Sequence, residues 1–257
     1  MAILEVNDLS LKFGGVKALD QVSYHVEKGE IFSLIGPNGA GKTSMLNCIS
    51  GLYTPSSGSI KFKGQEILGM KPYNRTSLGI SRAFQNIALF AHMSVLDNLK
   101  LGRHVRMKSG MFKGGMYWGG AEKEEVSHRR SVEQVIEFLE MQDIRHTPVG
   151  TLPYGLQKRV EVGRALALEP ELILLDEPMA GMNSAEKEDM ARFILDMHEL
   201  NGITVFLIEH DMGVIMDLSD HIAVLDFGKR IGFGTPEEIQ KNSEVIRAYL
   251  GEQEVTT

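Results

Sequence analysis

The sequence predicts an α/β protein: a mainly parallel sheet covered by helices, antiparallel strands on its N-terminal side, and a helical subdomain inserted into the core. Three observations carry this. Runs rich in Val, Ile, Leu and Phe recur at Ile31 to Ile35, Leu172 to Leu175 and Val205 to Ile208, apolar at nearly every position, as strands buried on both faces require. The first run passes directly into Gly36-Pro37-Asn38-Gly39-Ala40-Gly41-Lys42-Thr43-Ser44, a glycine-rich turn that opens a helix. From Val95 to Ala167 the composition is mostly helix-forming.

The elements follow in order. Leu4 to Phe13, Ala18 to Val26 and Gly58 to Lys63 alternate apolar and polar residues, which reads as antiparallel strands flanking the core. Glu122 to Met141 is the longest helix expected in the insertion, with Val126, Val132, Val135, Ile136 and Leu139 as an apolar stripe that packs inward. A further helix should begin after Asn183, whose side chain can accept from first-turn N–H groups while Glu186 answers from three residues on. Pro236 to Gln240 and Glu244 to Leu250 read as two short helices. Together these form one domain over residues 1–257, with an α/β core from 1–86 and 168–257 and a helical subdomain at 87–167.

With 257 residues, 43% of them hydrophobic and 24% charged, the chain can bury a sizeable core. No stretch approaches 18 consecutive apolar residues, so no segment is expected to span a bilayer. The acids in Met1 to Asp8 do not suit a secretory leader, and a cytosolic chain is expected. A lone cysteine, Cys48, excludes an internal disulfide and reads as a small core residue. The formal charge of −7 argues against nucleic acid as the main partner.

The stretch from Gly36 to Thr43 fits G-x-x-x-x-G-K-[ST] and points to a P-loop NTPase core. Its glycines let backbone N–H groups turn inward around phosphates, Lys42 adds charge at the β/γ end, and Thr43 offers a hydroxyl to Mg²⁺. Each donor reaching a charged oxygen contributes about 1.5 to 3 kcal/mol, so several can hold a triphosphate. A second signal is Leu172-Ile173-Leu174-Leu175-Asp176-Glu177-Pro178, an apolar strand ending in two acids. Asp176 is assigned to the Mg²⁺ hydration shell and Glu177 to orienting the attacking water.

The ordered set GPNGAGKT, Ala83-Phe84-Gln85-Asn86, Leu152-Pro153-Tyr154-Gly155-Leu156-Gln157-Lys158-Arg159, LLDEP and Ile208-Glu209-His210-Asp211 resembles the ATP-binding subunits of ABC transporters across nearly the whole chain. The resemblance implies an ATPase using ATP and Mg²⁺. By it, Gln85 touches Mg²⁺ and the attacking water while sensing the membrane subunit, His210 contacts the γ-phosphate, and Phe13 stacks on adenine. LPYGLQKR corresponds to the signature that caps ATP on the opposite subunit, through Tyr154, Gly155 and Gln157. Pro153 stands where serine is most common and removes both a hydroxyl and an N–H. In the D-loop, Ala180 to Asn183, asparagine replaces the frequent aspartate.

Residues Ile239 to Glu252 and the insertion before the signature resemble, more closely, the ATPases of high-affinity branched-chain amino-acid importers. That likeness implies a second ABC ATPase subunit as partner, a heterodimer favoured over a homodimer. It also implies transmembrane permeases, an external solute-binding protein met indirectly, and a peripheral place on the cytoplasmic face of the inner membrane. Competing readings are importer ATPases for urea, amides or aromatic carboxylates, a soluble ABC-type ATPase outside transport, and an ATP-binding subunit that does not hydrolyse. The chain lacks the long coiled coil of DNA-repair forms, the doubled unit of translation forms and the N-K-x-D motif of GTPases. From Asp97 to Glu122 no acid intervenes among five basic residues, and Met111, Phe112, Met116, Tyr117 and Trp118 lie among glycines. This segment reads as a surface loop or as a contact with permease loops or anionic headgroups.

Overall fold

The computed structural model describes residues 1–83, 89–103 and 120–254, with side chains described from 126 to 249 in the last stretch. In chain order the elements are β1 (Ala2–Phe13), β2 (Val16–Glu27), β3 (Ile31–Ile35), α1 (Lys42–Ser50), β4 (Ser57–Phe62), β5 (Gln65–Glu66), α2 (Pro72–Leu78) and β6 (Ile80–Ala83). They continue with α3 (Val95–Arg103), α4 (Gly120–Phe138), α5 (Tyr154–Leu166), β7 (Leu172–Asp176), α6 (Ser184–Glu199), β8 (Thr204–Ile208), α7 (Met212–Leu218), β9 (His221–Asp226), β10 (Lys229–Gly234), α8 (Pro236–Gln240) and α9 (Ser243–Glu254).

The three apolar runs become β3, β7 and β8, each buried at every position. They lie at the centre of a six-stranded sheet ordered β10-β9-β3-β8-β7-β6, parallel except for the β9–β10 hairpin. A second, antiparallel sheet runs β2-β1-β4-β5. Because strand side chains alternate, the two faces of the parallel sheet feed different cores. Phe32, Leu34, Leu174 and Phe206 face α1 and the antiparallel sheet, with the rings of Tyr24, Phe32 and Phe206 in mutual contact. Ile31, Ile173, Leu175, Val205 and Leu207 pack instead with Val132, Ile136, Val160 and Phe193 from the helices. Truncating such a residue, for instance Leu174→Ala, costs about 2–5 kcal/mol because the cavity closes only in part.

Cys48 is fully buried, and burial pushes its thiol up to about 12, so it behaves as a core residue. The cap expected at Asn183 is present in both directions: its side chain accepts from Glu186 N–H and Glu186 accepts from Asn183 N–H, at 3.0 Å each. Two expectations need correction. Val126 is not part of the stripe of α4; it is 60% exposed, no position from 126 to 131 is buried, and the packed face begins at Val132. The last helix is longer than read, because Asn242 accepts from the Glu244 and Val245 N–H groups and starts it at Ser243. Gln85 and the Gly/aromatic segment 110–119, including Trp118, lie outside the described residues.

Candidate nucleotide site

The phosphate loop joins the buried end of β3 to the first turn of α1. Two glycines are demanded by their surroundings. At Gly36 (φ 150°) a Cβ would sit 2.1 Å from the Leu225 carbonyl oxygen, and at Gly41 (φ 105°) one would sit 2.5 Å from that of Ala18. The β9–β10 turn braces the loop from behind, Gly228 N–H donating to Ala40 O while Gly228 O accepts from Asp20 N–H. Lys42 folds back along the loop, donating from Nζ to the carbonyls of Gly36 (2.6 Å) and Pro37 (3.0 Å). Thr43 is exposed, and the helix start adds its N–H groups and dipole on the same side.

Asp176 ends β7 and is 2% exposed. Burial raises its pKa, and the adjacent Arg82 guanidinium opposes that rise. Arg82 donates from Nη2 to Asp176 Oδ2 at 2.8 Å and from Nη1 to Asn47 Oδ1 (2.7 Å) and Ser50 Oγ (3.1 Å) of α1. The other carboxylate oxygen, Asp176 Oδ1, is buried with no hydrogen-bond partner among the described residues. An orphaned carboxylate oxygen next to the phosphate-loop helix fits a divalent cation acting through its water shell.

Glu177 follows in a left-handed conformation (φ 51°), unusual for a side-chain-bearing residue and costing roughly 1–3 kcal/mol. Its N–H donates to Ile208 O, and its Oε1 lies 2.6 Å from His210 Nε2, joining the ends of β7 and β8. Sequence reasoning missed the residue beneath them. Glu209 is buried, accepts from Met179 N–H (2.7 Å) and His210 N–H (3.2 Å), and fixes the turn after Glu177. Burial raises its pKa, with both backbone donors opposing. Asp211 caps α7 and pairs with Lys187 at 3.0 Å, which holds its carboxyl below the usual range.

These elements enclose a cleft of about 450 Å³ lined by Asn38 to Ser44, Glu177, His210, Val16, Lys17, Ala18 and Phe227. Asp176, paired with Arg82, is not among the lining residues. Phe13 is not among the lining residues; it is half-exposed at the end of β1 and meets Tyr53 edge-on at 5.2 Å. Val16 and Phe227, the latter 86% exposed, are the large apolar side chains that do line the cleft, beside the small Ala18 and Ala40. No residue of the signature lines it either. Pro153 is the N-cap of α5 and offers no side-chain cap, Gly155 packs against Glu186, and Gln157 donates to Leu152 O at 2.8 Å.

Residues 19–180 match the ABC transporter family model. The chain belongs to that family of ATP-binding cassettes. Residues 229–255 match the model of the branched-chain amino acid ATP-binding cassette transporters. The chain is 40% identical to the high-affinity branched-chain amino acid transport ATP-binding protein BraF of Pseudomonas aeruginosa, over 97% of this chain and 98% of the relative. It is 37% identical to LivG of Escherichia coli, again over 97% and 98%. A crystal structure of the ADP conformation of an ATP-binding cassette from an ABC transporter superposes with a TM-score of 0.84 at 32% identity, covering 98% of this chain and 99% of the other.

Proposed function

We propose that this chain is the ATP-hydrolysing subunit of an importer for branched-chain or other hydrophobic amino acids or related small solutes. The observation that carries the reading is the convergence of Lys42, Thr43, Ser44, Glu177 and His210 on one cleft built by a phosphate loop. The similarity to BraF and LivG supports the choice of solute class.

In the reaction, the loop N–H groups and Lys42 hold the β- and γ-phosphates in place. Glu177 takes the proton of the attacking water as its oxygen bonds to the γ-phosphorus, and the bond to the ADP oxygen breaks. His210, 2.6 Å from Glu177, fixes that carboxylate and reaches the γ-phosphate. Mg²⁺, when bound, neutralises the β/γ oxygens; Thr43, Gln85 and, through water, Asp176 are the residues to hold it. Adenine would rest on Phe13, with Val16 and Phe227 as the apolar lining nearer the phosphates.

The signature, Tyr154, Gly155 and Gln157, serves the ATP of a second ABC ATPase subunit, a heterodimer being favoured over a homodimer. That its residues stand outside this chain's own cleft supports completion in trans. The helical subdomain, 87–167, carries the signature against the 1–86 and 168–257 core. Closure would reach the permeases through the Gln85 segment. A groove of about 270 Å³ along β6, walled by Leu52, Arg75, Arg82 and Arg164, supports a docking surface on this side of the fold. Among the described residues no helix is long and apolar enough to cross a membrane. On the importer reading, the subunit sits peripherally on the cytoplasmic face and meets the external solute-binding protein only indirectly.

Vesicles containing the permeases, the partner ATPase and this chain test the reading. ATP-driven leucine or valine uptake is expected when the binding protein is supplied, and ATPase activity without any uptake would refute the importer role.

A further inference from the structure

We infer that Arg82 is a positioning residue for the metal carboxylate, holding Asp176 in one orientation by tying it to the helix that follows the phosphate loop. The inference rests on the proposed Mg²⁺-dependent ATPase function. Arg82 lies opposite Leu174 in the parallel β6–β7 ladder, so Asp176, two residues beyond Leu174, shares its face of the sheet. The two side chains are 8% and 1% exposed. Asn47 and Ser50 lie three residues apart, on one side of α1.

A planar guanidinium serves this set from two separate nitrogens, whereas a lysine would have to reach all three acceptors from one. One nitrogen takes Asp176 Oδ2 at 2.8 Å while the other spans Asn47 Oδ1 and Ser50 Oγ, at 2.7 and 3.1 Å. With Oδ2 occupied, the plane of the carboxylate is set and the partnerless Oδ1 becomes the acceptor left for a metal-bound water. The anchor is significant because α1 begins at Lys42 and Thr43. One side chain therefore fixes the distance between the metal's carboxylate and the residues that hold the phosphates. Supporting partners of this kind typically change metal affinity by about 10- to 100-fold when removed.

The test compares Arg82→Gln, Arg82→Lys and Asn47→Ala with wild type in the intact chain. A fluorescent ATP analogue is titrated with and without Mg²⁺, the Mg²⁺ concentration for half-maximal hydrolysis is measured, and the nucleotide-free melting temperature is recorded. Arg82→Gln should raise the half-saturating Mg²⁺ by about tenfold or more, with metal-free nucleotide affinity changed less than threefold. Arg82→Lys should recover only part of the loss, and Asn47→Ala should shift Mg²⁺ dependence in the same direction by a smaller factor. Asn47→Ala keeps the Arg82–Asp176 pair, so it remains informative if Arg82→Gln does not fold. Variants that melt lower while the Mg²⁺ requirement stays at the wild-type value would overturn the positioning role. A wild-type protein whose nucleotide binding ignores Mg²⁺ would instead remove the function on which the inference rests.

Discussion

The phosphate loop and the signature turn are both glycine-bearing loops that open a helix, yet they are prepared differently. The loop at Gly36 to Gly41 is braced by the β9–β10 turn, crowded against backbone at two glycines, and aims Lys42, Thr43 and its N–H groups into a cleft of its own chain. The signature turn commits its residues locally: the Gln157 side chain to Leu152 O, the Gly155 backbone close against Glu186, Pro153 as a cap without a donor. What it retains is the exposed Tyr154 and the N–H groups at the start of α5. On the function proposed above, the first is a grip for phosphate within its own chain, and the second is expected to act on a ligand held by another.

The sharpest way to break this contrast is Lys42→Ala. It should weaken ATP binding by at least about 100-fold, since it removes a desolvated charge with several charge-assisted bonds; calorimetric titration showing normal affinity would refute the role of the loop. Next come paired glycine substitutions. Gly36→Ala meets backbone oxygen in a strained conformation and should cost about 3 kcal/mol. Gly155→Ala meets first the flexible carboxylate end of Glu186 and should cost about 1 kcal/mol by disturbing the α6 cap. Equal costs in denaturant unfolding would erase the distinction between a braced loop and an adaptable one.

Smaller effects sharpen it further. Pro153→Ser supplies the missing cap and a hydroxyl, so melting should rise by a few degrees and hydrolysis should hold or increase; a large loss of turnover would assign the proline a positive task. Glu209→Gln addresses the turn behind Glu177. Because burial raises the folded pKa of Glu209, its ionisation opposes folding. Its contribution is full below the unfolded value of about 4.3 and is lost as pH rises through the higher folded value. The glutamine variant should therefore show a flatter stability profile across the weakly acidic range, and an unchanged profile would contradict this.

The buried strands, the loop and the Asp176-Glu177 pair were legible because each depends on local spacing: apolar runs of strand length, glycines before a lysine, acids at a strand end. Arg82 and Glu209 were not. Arg82 lies inside the short strand β6 and Glu209 just past the end of β8, and at both the sequence looks the same whether the side chain reaches solvent or turns inward to a carboxylate or a backbone N–H. Val16 opens β2 and Phe227 lies in the β9–β10 turn, 211 positions apart, and only the packing of the two sheets brings them to one cleft. Val126 shows the converse, since its helical spacing fits the stripe but the layer it would pack against begins a turn and a half later, at Val132.

The most direct test of the central claim, that ATP gripped by this chain is completed by the opposing subunit, uses Glu177→Gln in the complex purified with its permeases. Hydrolysis at this site should fall by about 10²- to 10⁴-fold while ATP stays bound through rapid dilution. Replacing the signature glycine of the partner ATPase should then release that ATP. Retention indifferent to the change on the opposing chain would contradict the account.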